Sequence, residues 1–280
     1  MTGRRRVLTG SMAAGLATLL PGCSPAAILN LTVPRTGYRL EPDVAYGDLP
    51  RQRLDYYRPE RPRADGRTVV FFYGGGWRQG DRGDYLFVAQ ALASRGIGVV
   101  IPDYRLYPDT QYPGFIEDGA LATRWAADRI GTDRLFLMGH SAGAYIGAML
   151  VARTAYLEKA GVERMRLRGF IGMSGPYDVQ LRSYRWLRDV FGEAGDDAIQ
   201  PIVHVAAPLP PALLLHGGDD RLVPPHNSQR MATAWRAARA RADLHVYENV
   251  DHLSIVGSFA DFLLGRASTR ADVLAWIAAH

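Results

Sequence analysis

From residue 41 to the C-terminus, short apolar runs alternate with longer stretches of helical periodicity. The runs fall at residues 54–57, 68–73, 97–102, 135–138, 170–173 and 213–216, with a seventh at 244–248. Several are continuously apolar, the pattern of strands covered on both faces. Helical patterns occupy residues 85–94, 116–129, 142–155, 226–240 and 269–279. Alternation of this kind predicts an α/β fold, a mainly parallel central sheet with helices on both faces. No internal repeat and no linker divides residues 41–280, which are read as one domain. Ligand crevices in such sheets lie outside the carboxyl ends of the strands.

The first forty residues follow another pattern. Arg4, Arg5 and Arg6 precede an apolar run from Ser11 to Leu20, and no acidic residue occurs before Glu41. That run is too short to span a bilayer, which takes about 20 apolar residues. Residues 1–22 are therefore expected to be a secretory signal, with Arg4–Leu8 resembling a twin-arginine start. Cys23, the only cysteine, follows in Leu20-Pro21-Gly22-Cys23. This string resembles a bacterial lipobox, although the proline before the glycine departs from the usual form. The expectation is a lipidated Cys23, residues 23–40 as a tether, and an exported protein held at a membrane of the cell envelope.

Composition narrows the function classes. Of 280 residues, 48% are hydrophobic and 22% charged, which excludes a disordered chain. The formal charge is +5, but removing Arg4–Arg6 from the 33 basic residues leaves 30 against 28 acidic ones. Such a balance gives no electrostatic footprint for nucleic acid. A single cysteine excludes an internal disulfide and a cysteine-built zinc site.

The chemistry lies at the strand ends. After the run at 135–138 comes Gly139-His140-Ser141-Ala142-Gly143, then a helix. A strand–turn–helix setting is what the G-x-S-x-G pattern requires. The tight turn lifts the Ser141 hydroxyl clear of the sheet, and the following amides favour negative charge. After the run at 68–73 comes Gly74-Gly75-Gly76-Trp77, where backbone amides can approach a ligand unobstructed. The amides of Gly75, Gly76 and Ala142 are expected to face a developing alkoxide. A serine hydroxyl also needs a base and an orienting carboxylate. Of seven histidines, His252 follows the last run in Val250-Asp251-His252-Leu253-Ser254 and is the candidate base. The carboxylate should follow the run at 213–216, where Asp219 and Asp220 are adjacent. Physical reasoning alone leaves the choice between them open.

Together these motifs resemble the α/β-hydrolase superfamily. More narrowly, they resemble small bacterial carboxylesterases of the feruloyl-esterase-like and hormone-sensitive-lipase-like groups. The resemblance runs from about Val44 to His280. It rests on Leu54–Pro59, Gly74–Trp77, Asp103-Tyr104-Arg105-Leu106, Gly139–Gly143, His216–Pro224 and Asp251-His252. In these families the acid stands in H-G-x-x-D-x-x-V-P, which implies Asp220 here. It also implies a serine carboxylesterase acting on short acyl or aryl esters, with no metal or cofactor. The family's histidine before the three glycines is replaced by Tyr73, whose hydroxyl is expected to order the glycine loop. Residues 177–205 carry Tyr184, Trp186, Leu187 and Phe191, the pattern of a cap or of a plain helical crossover. Tyr73, Trp77 and Trp186 are the candidate substrate contacts. Two alternatives remain: an arylformamidase or amidase on the same residues, and an anchored binding protein without catalysis.

Overall fold

Leu135–His140 and Thr68–Phe72 are buried along their whole length. Strands of that kind need cover on both faces, and the architecture supplies it. The structure, a computed structural model, describes residues 29–178, 184–263, 265 and 267–280. Among these, the strands are β1 (Tyr38–Ala45), β2 (Arg53–Pro59), β3 (Thr68–Phe72), β4 (Gly98–Pro102), β5 (Leu135–His140), β6 (Gly169–Met173), β7 (Ala212–Gly217) and β8 (Ala242–Tyr247). They form one sheet in the order β1-β2-β4-β3-β5-β6-β7-β8. β2 runs antiparallel to β1 and β4, and every other neighbouring pair is parallel.

The helices are α1 (Leu86–Ala93), α2 (Gly114–Ile130), α3 (Ala142–Ala152), α4 (Ala155–Lys159), α5 (Arg185–Phe191), α6 (Asp196–Ile199), α7 (His226–Ala237), α8 (Ser254–Gly257) and α9 (Thr269–Ala279). α3 is buried at every residue, because it is apolar all round and lies against β3, β5 and β6. The helical pattern at 142–155 breaks where Arg153 turns extended, and its guanidinium reaches the Tyr112 hydroxyl at 2.9 Å.

β1 was not predicted. It is an edge strand, mostly exposed or half-buried, bearing Pro42 and a register shift between Glu41 and Val44. The expected signal segment and Cys23 lie outside the described residues. The described part of the expected tether is docked rather than loose. Leu29 and Val33 pack against the core, and Tyr38 sets its ring edge-on to Tyr57. Asn30 donates to the carbonyls of Gly83 and Asp84 at 2.8 and 3.0 Å and accepts from the Phe87 amide.

The glycine loop leaves the end of β3 at Tyr73, whose side chain is fully buried below it. The Tyr73 hydroxyl donates to Asp103 Oδ1 at 2.7 Å and accepts from Arg51 Nη2 at 3.0 Å. Arg51 also bonds the Gly80 carbonyl, closing the far end of the loop. The Tyr104 hydroxyl donates to the Tyr73 carbonyl at 2.8 Å, and the two rings stack at 4.7 Å. Asp103 is further paired with Arg82, which reaches Asp55 and Asp43. Tyr73 thus sits beneath the loop and outside the cleft, which corrects its place among the substrate contacts. The reason is steric: a Cβ on Gly80 would lie 2.7 Å from its ring, so the loop closes over it.

Tyr73→Phe removes one donor and one acceptor from a buried ionic network. A loss of about 1–3 kcal/mol is expected in denaturant unfolding. An unchanged unfolding midpoint would show that the hydroxyl does not hold the loop.

Candidate active site

Ser141 has φ 54° and ψ −122°, a conformation that costs a non-glycine residue energy. The neighbouring glycines make it reachable. A Cβ on Gly139 would lie 2.4 Å from the Gly143 carbonyl carbon, and one on Gly143 would lie 1.9 Å from the Phe72 oxygen. The Ser141 amide donates to the Met173 carbonyl at 2.9 Å, tying the turn to the end of β6.

Three side chains from three separate strand ends converge here. Ser141 Oγ lies 2.8 Å from His252 Nε2, and His252 Nδ1 lies 2.7 Å from Asp220 Oδ2. The tautomer follows from the partners: Nδ1–H donates to the carboxylate, which leaves Nε2 to accept the serine proton. Asp219 is exposed, and only its amide is engaged, donating to the Val250 carbonyl. Asp251 caps α8 by accepting from the Leu253 and Ser254 amides, which hold its pKa below the usual range. The geometry therefore pairs His252 with Asp220.

Asp220 is buried and heavily supported. Oδ1 accepts from the amides of Leu222 and Val223 at 3.0 and 2.8 Å. His216, fully buried, donates from Nε2 to the Val223 carbonyl at 2.8 Å and lies 3.4 Å from Asp220 Oδ2. Its Nδ1 accepts from Ser228 Oγ at 2.7 Å. Burial works against the carboxylate charge. The nearby His216 Nε2–H, with the hydrogen bonds from His252 and the Val223 amide, outweighs it and holds the pKa well below the ordinary value.

His140, beside the serine, is part of the frame. Its ring is buried 4.9 Å from the His252 ring. Nε2 donates to the His252 carbonyl at 2.8 Å, joining the serine turn to the base loop. Burial, and then the nearness of His252, push its pKa down to about 3. His140 and His216 were missed as site residues because their work is done through backbone carbonyls. The H-G-x-x-D spacing was the signal for His216.

The glycine loop passes directly against the serine. A Cβ on Gly74 would lie 3.1 Å from Ser141 Cβ. Gly75 and Gly76 take positive φ values of 134° and 61°. These two, with Ser141, Ala142 and His252, border a cleft of about 770 Å³. Trp77 touches this cleft but is 2% exposed, its ring held among Phe115, Tyr145 and Phe191. It is chiefly a support under the loop. Trp186, 48% exposed, stands at the cleft beside Gly76, and its carbonyl accepts from Arg78 Nη1 at 2.8 Å. The segment at 177–205 divides in two ways: Leu187, Val190 and Phe191 of α5 are buried, while Tyr184 and Trp186 face the cleft. Among the described residues no group of three or more metal-ligating side chains occurs, and no helix is long and apolar enough to cross a membrane.

The BD-FAE family model matches residues 54–235. A probable isoprenylcysteine alpha-carbonyl methylesterase of Oryza sativa subsp. japonica is 29% identical over 243 residues, covering 76% of this chain and 58% of its own. Esterase LipC of Mycobacterium tuberculosis is 30% identical over 220 residues, covering 69% of this chain and 54% of its own. The chain thus spans little more than half the length of these curated relatives. Esterase B from Lactobacillus rhamnosis superposes with a TM-score of 0.77 at 22% identity, over 91% of this chain and 90% of that one. That likeness speaks to the fold alone. His252 lies beyond the matched range, so its place in the site rests on geometry. From β2 through most of α7, the chain belongs to the BD-FAE family, and its fold is that of the α/β-hydrolases.

Proposed function

We propose that this protein is a serine carboxylesterase that works through an acyl-enzyme. The observation that carries the reading is the relay of 2.8 and 2.7 Å from Ser141 through His252 to Asp220. Ser141 Oγ attacks the ester carbonyl while His252 Nε2 takes its proton. Asp220 keeps the imidazole in the productive tautomer and stabilises the imidazolium. The alkoxide is met by the amides of Gly75, Gly76 and Ala142, which border the cleft beside Ser141. As the intermediate collapses, His252 returns the proton to the departing alcohol. Water, deprotonated by the same nitrogen, then attacks the acyl-serine and frees the acid.

The substrate is a carboxylic ester with a small or flat apolar group. Trp186, Leu187, Leu222, Val223 and Leu253 give the cleft around Ser141 apolar side-chain walls. Esters should be preferred over anilides of the same acid. The intact relay also weighs against a binding protein without turnover. The protein is exported and held at a membrane of the cell envelope by acyl chains on Cys23. The basic start, the apolar run and the single cysteine support this part of the reading. Mass spectrometry of the membrane fraction tests it, since Cys23 must carry the mass of its lipid.

Ser141→Ala is expected to lower kcat on p-nitrophenyl butyrate by about 10⁶-fold, with the fold intact. Asp220→Asn should cost about 10⁴-fold, because the amide favours the wrong tautomer. Steady-state kinetics with circular dichroism checks both, and a Ser141→Ala protein of full activity would refute the assignment.

His140 gives a pH signature. Its folded pKa of about 3 lies below the unfolded value of about 6.5, so the unfolded chain binds the proton first as pH falls. Stability should therefore drop by up to about 1.4 kcal/mol per pH unit below pH ~6. Asp220, whose folded pKa is depressed, adds a further loss below pH ~4. His140→Gln should flatten the upper part of this slope. Urea unfolding at a series of pH values measures it, and equal slopes in both proteins would contradict the assignment to His140.

A further inference from the structure

The mouth of the cleft is unusually apolar where it meets solvent. Leu222 and Leu253 are 61% and 60% exposed, and Trp186 and Tyr184 are 48% and 43% exposed. All four border the same opening. Clustered exposed side chains of this size mark a surface that meets something apolar.

The N-terminal segment docks against residues that line the same cleft. Asn30 is clamped to the backbone of Gly83, Asp84 and Phe87 by three hydrogen bonds. Asp84 and Tyr85, inside that clamp, line the cleft. Leu31, next to the clamp, is 79% exposed. Cys23 lies only six residues before Leu29. Even a fully extended chain spans at most about 3.6 Å per residue, so Cys23 lies within about 20–25 Å of the clamp.

We propose that the rim formed by Tyr184, Trp186, Leu222 and Leu253, together with the exposed Leu31 beside the Asn30 clamp, rests on a lipid bilayer, and that the cleft takes amphipathic carboxylic esters presented from that bilayer. The proposal deepens the esterase reading and rests on it for the chemistry. The occupant is argued from where the described chain begins: Leu29 and Asn30 lie against residues 83–87, beside two residues that line the cleft, and the cysteine expected to carry lipid is six residues upstream. Rim charge does not choose the lipid. Arg185 and Arg221 are exposed beside the apolar residues, but so are Asp219 and Asp251. Attachment therefore works by insertion and should be nearly independent of salt between about 0.1 and 1 M.

Trp186 reports on the contact, because the other four tryptophans are buried or half-buried. The full chain, produced in an exporting bacterial host, is mixed with phosphatidylethanolamine–phosphatidylglycerol vesicles, with or without acyl-chain bromine. Bromine should quench the tryptophan emission at either salt, and Trp186→Phe should lose most of that quenching while still sedimenting with the vesicles. Leu31→Asp combined with Leu222→Asp should reduce the quenching at least twofold. Sedimentation without any quenching difference between wild type and Trp186→Phe would overturn the proposal, since the protein would then be anchored with its rim turned away. Neither sedimentation nor quenching would overturn the proposal and the anchor together. A rim buried in a dimer, seen as doubled mass and unquenched emission, would overturn it in favour of a second copy of the chain. Turnover of soluble p-nitrophenyl butyrate, followed in the same preparations, reports separately on the esterase reading.

Discussion

The approach of Gly143 to the carbonyl of Phe72 is the contact on which the site depends. A Cβ at residue 143 would fall 1.9 Å from that oxygen. Only a glycine lets the first turn of α3 settle against the end of β3. Two consequences follow from this one approach. The serine turn at the end of β5 is pressed into its positive-φ conformation, and the glycine loop leaving β3 is brought alongside it. The nucleophile and its expected amide donors are thus positioned by a single packing event between adjacent parallel strands.

The rest of the site is held by polar side chains outside the Ser141–His252–Asp220 relay. His216 fixes the Asp220 loop through the Val223 carbonyl, and His140 fixes the base loop through the His252 carbonyl. Tyr73, Arg51 and Asp103 hold the glycine loop from below. Each of these groups is buried or largely so, where a missing partner is costly and a satisfied network is stiff. Preorganisation of this kind lets hydrogen-bond donors and the base act without rearrangement during the reaction.

Much of this was legible in the residues, for identifiable reasons. Seven strands were legible as short apolar runs, several of them continuous because those strands are buried on both faces. β1 did not, because an edge strand with a proline and a register shift carries no such run. Ser141 and the glycine loop were legible because a strained turn and a close backbone approach tolerate only small residues. Asp220 could not be told from Asp219 by physical reasoning alone, since the choice depends on which carboxylate the loop turns inward; only the likeness to the H-G-x-x-D-x-x-V-P pattern pointed to it. His140 escaped notice because it acts on a carbonyl more than a hundred residues away in sequence, and His216 because it acts on the backbone of the acid loop rather than on substrate. Tyr73 was misplaced in the cleft because a tyrosine beside three glycines reads equally well as a wall or as a floor. The docking of Asn30 had no sequence signal at all, since a lone asparagine does not announce a clamp fifty residues away.

The central claim is that Ser141 is a nucleophile activated by His252 and Asp220. Its most direct test is mass spectrometry of the protein after brief exposure to a p-nitrophenyl alkylphosphonate. The account predicts one phosphonyl group per chain, located on Ser141, and at least hundredfold slower labelling once His252 is replaced by Ala. No adduct on Ser141, or labelling at the same rate without His252, would contradict it.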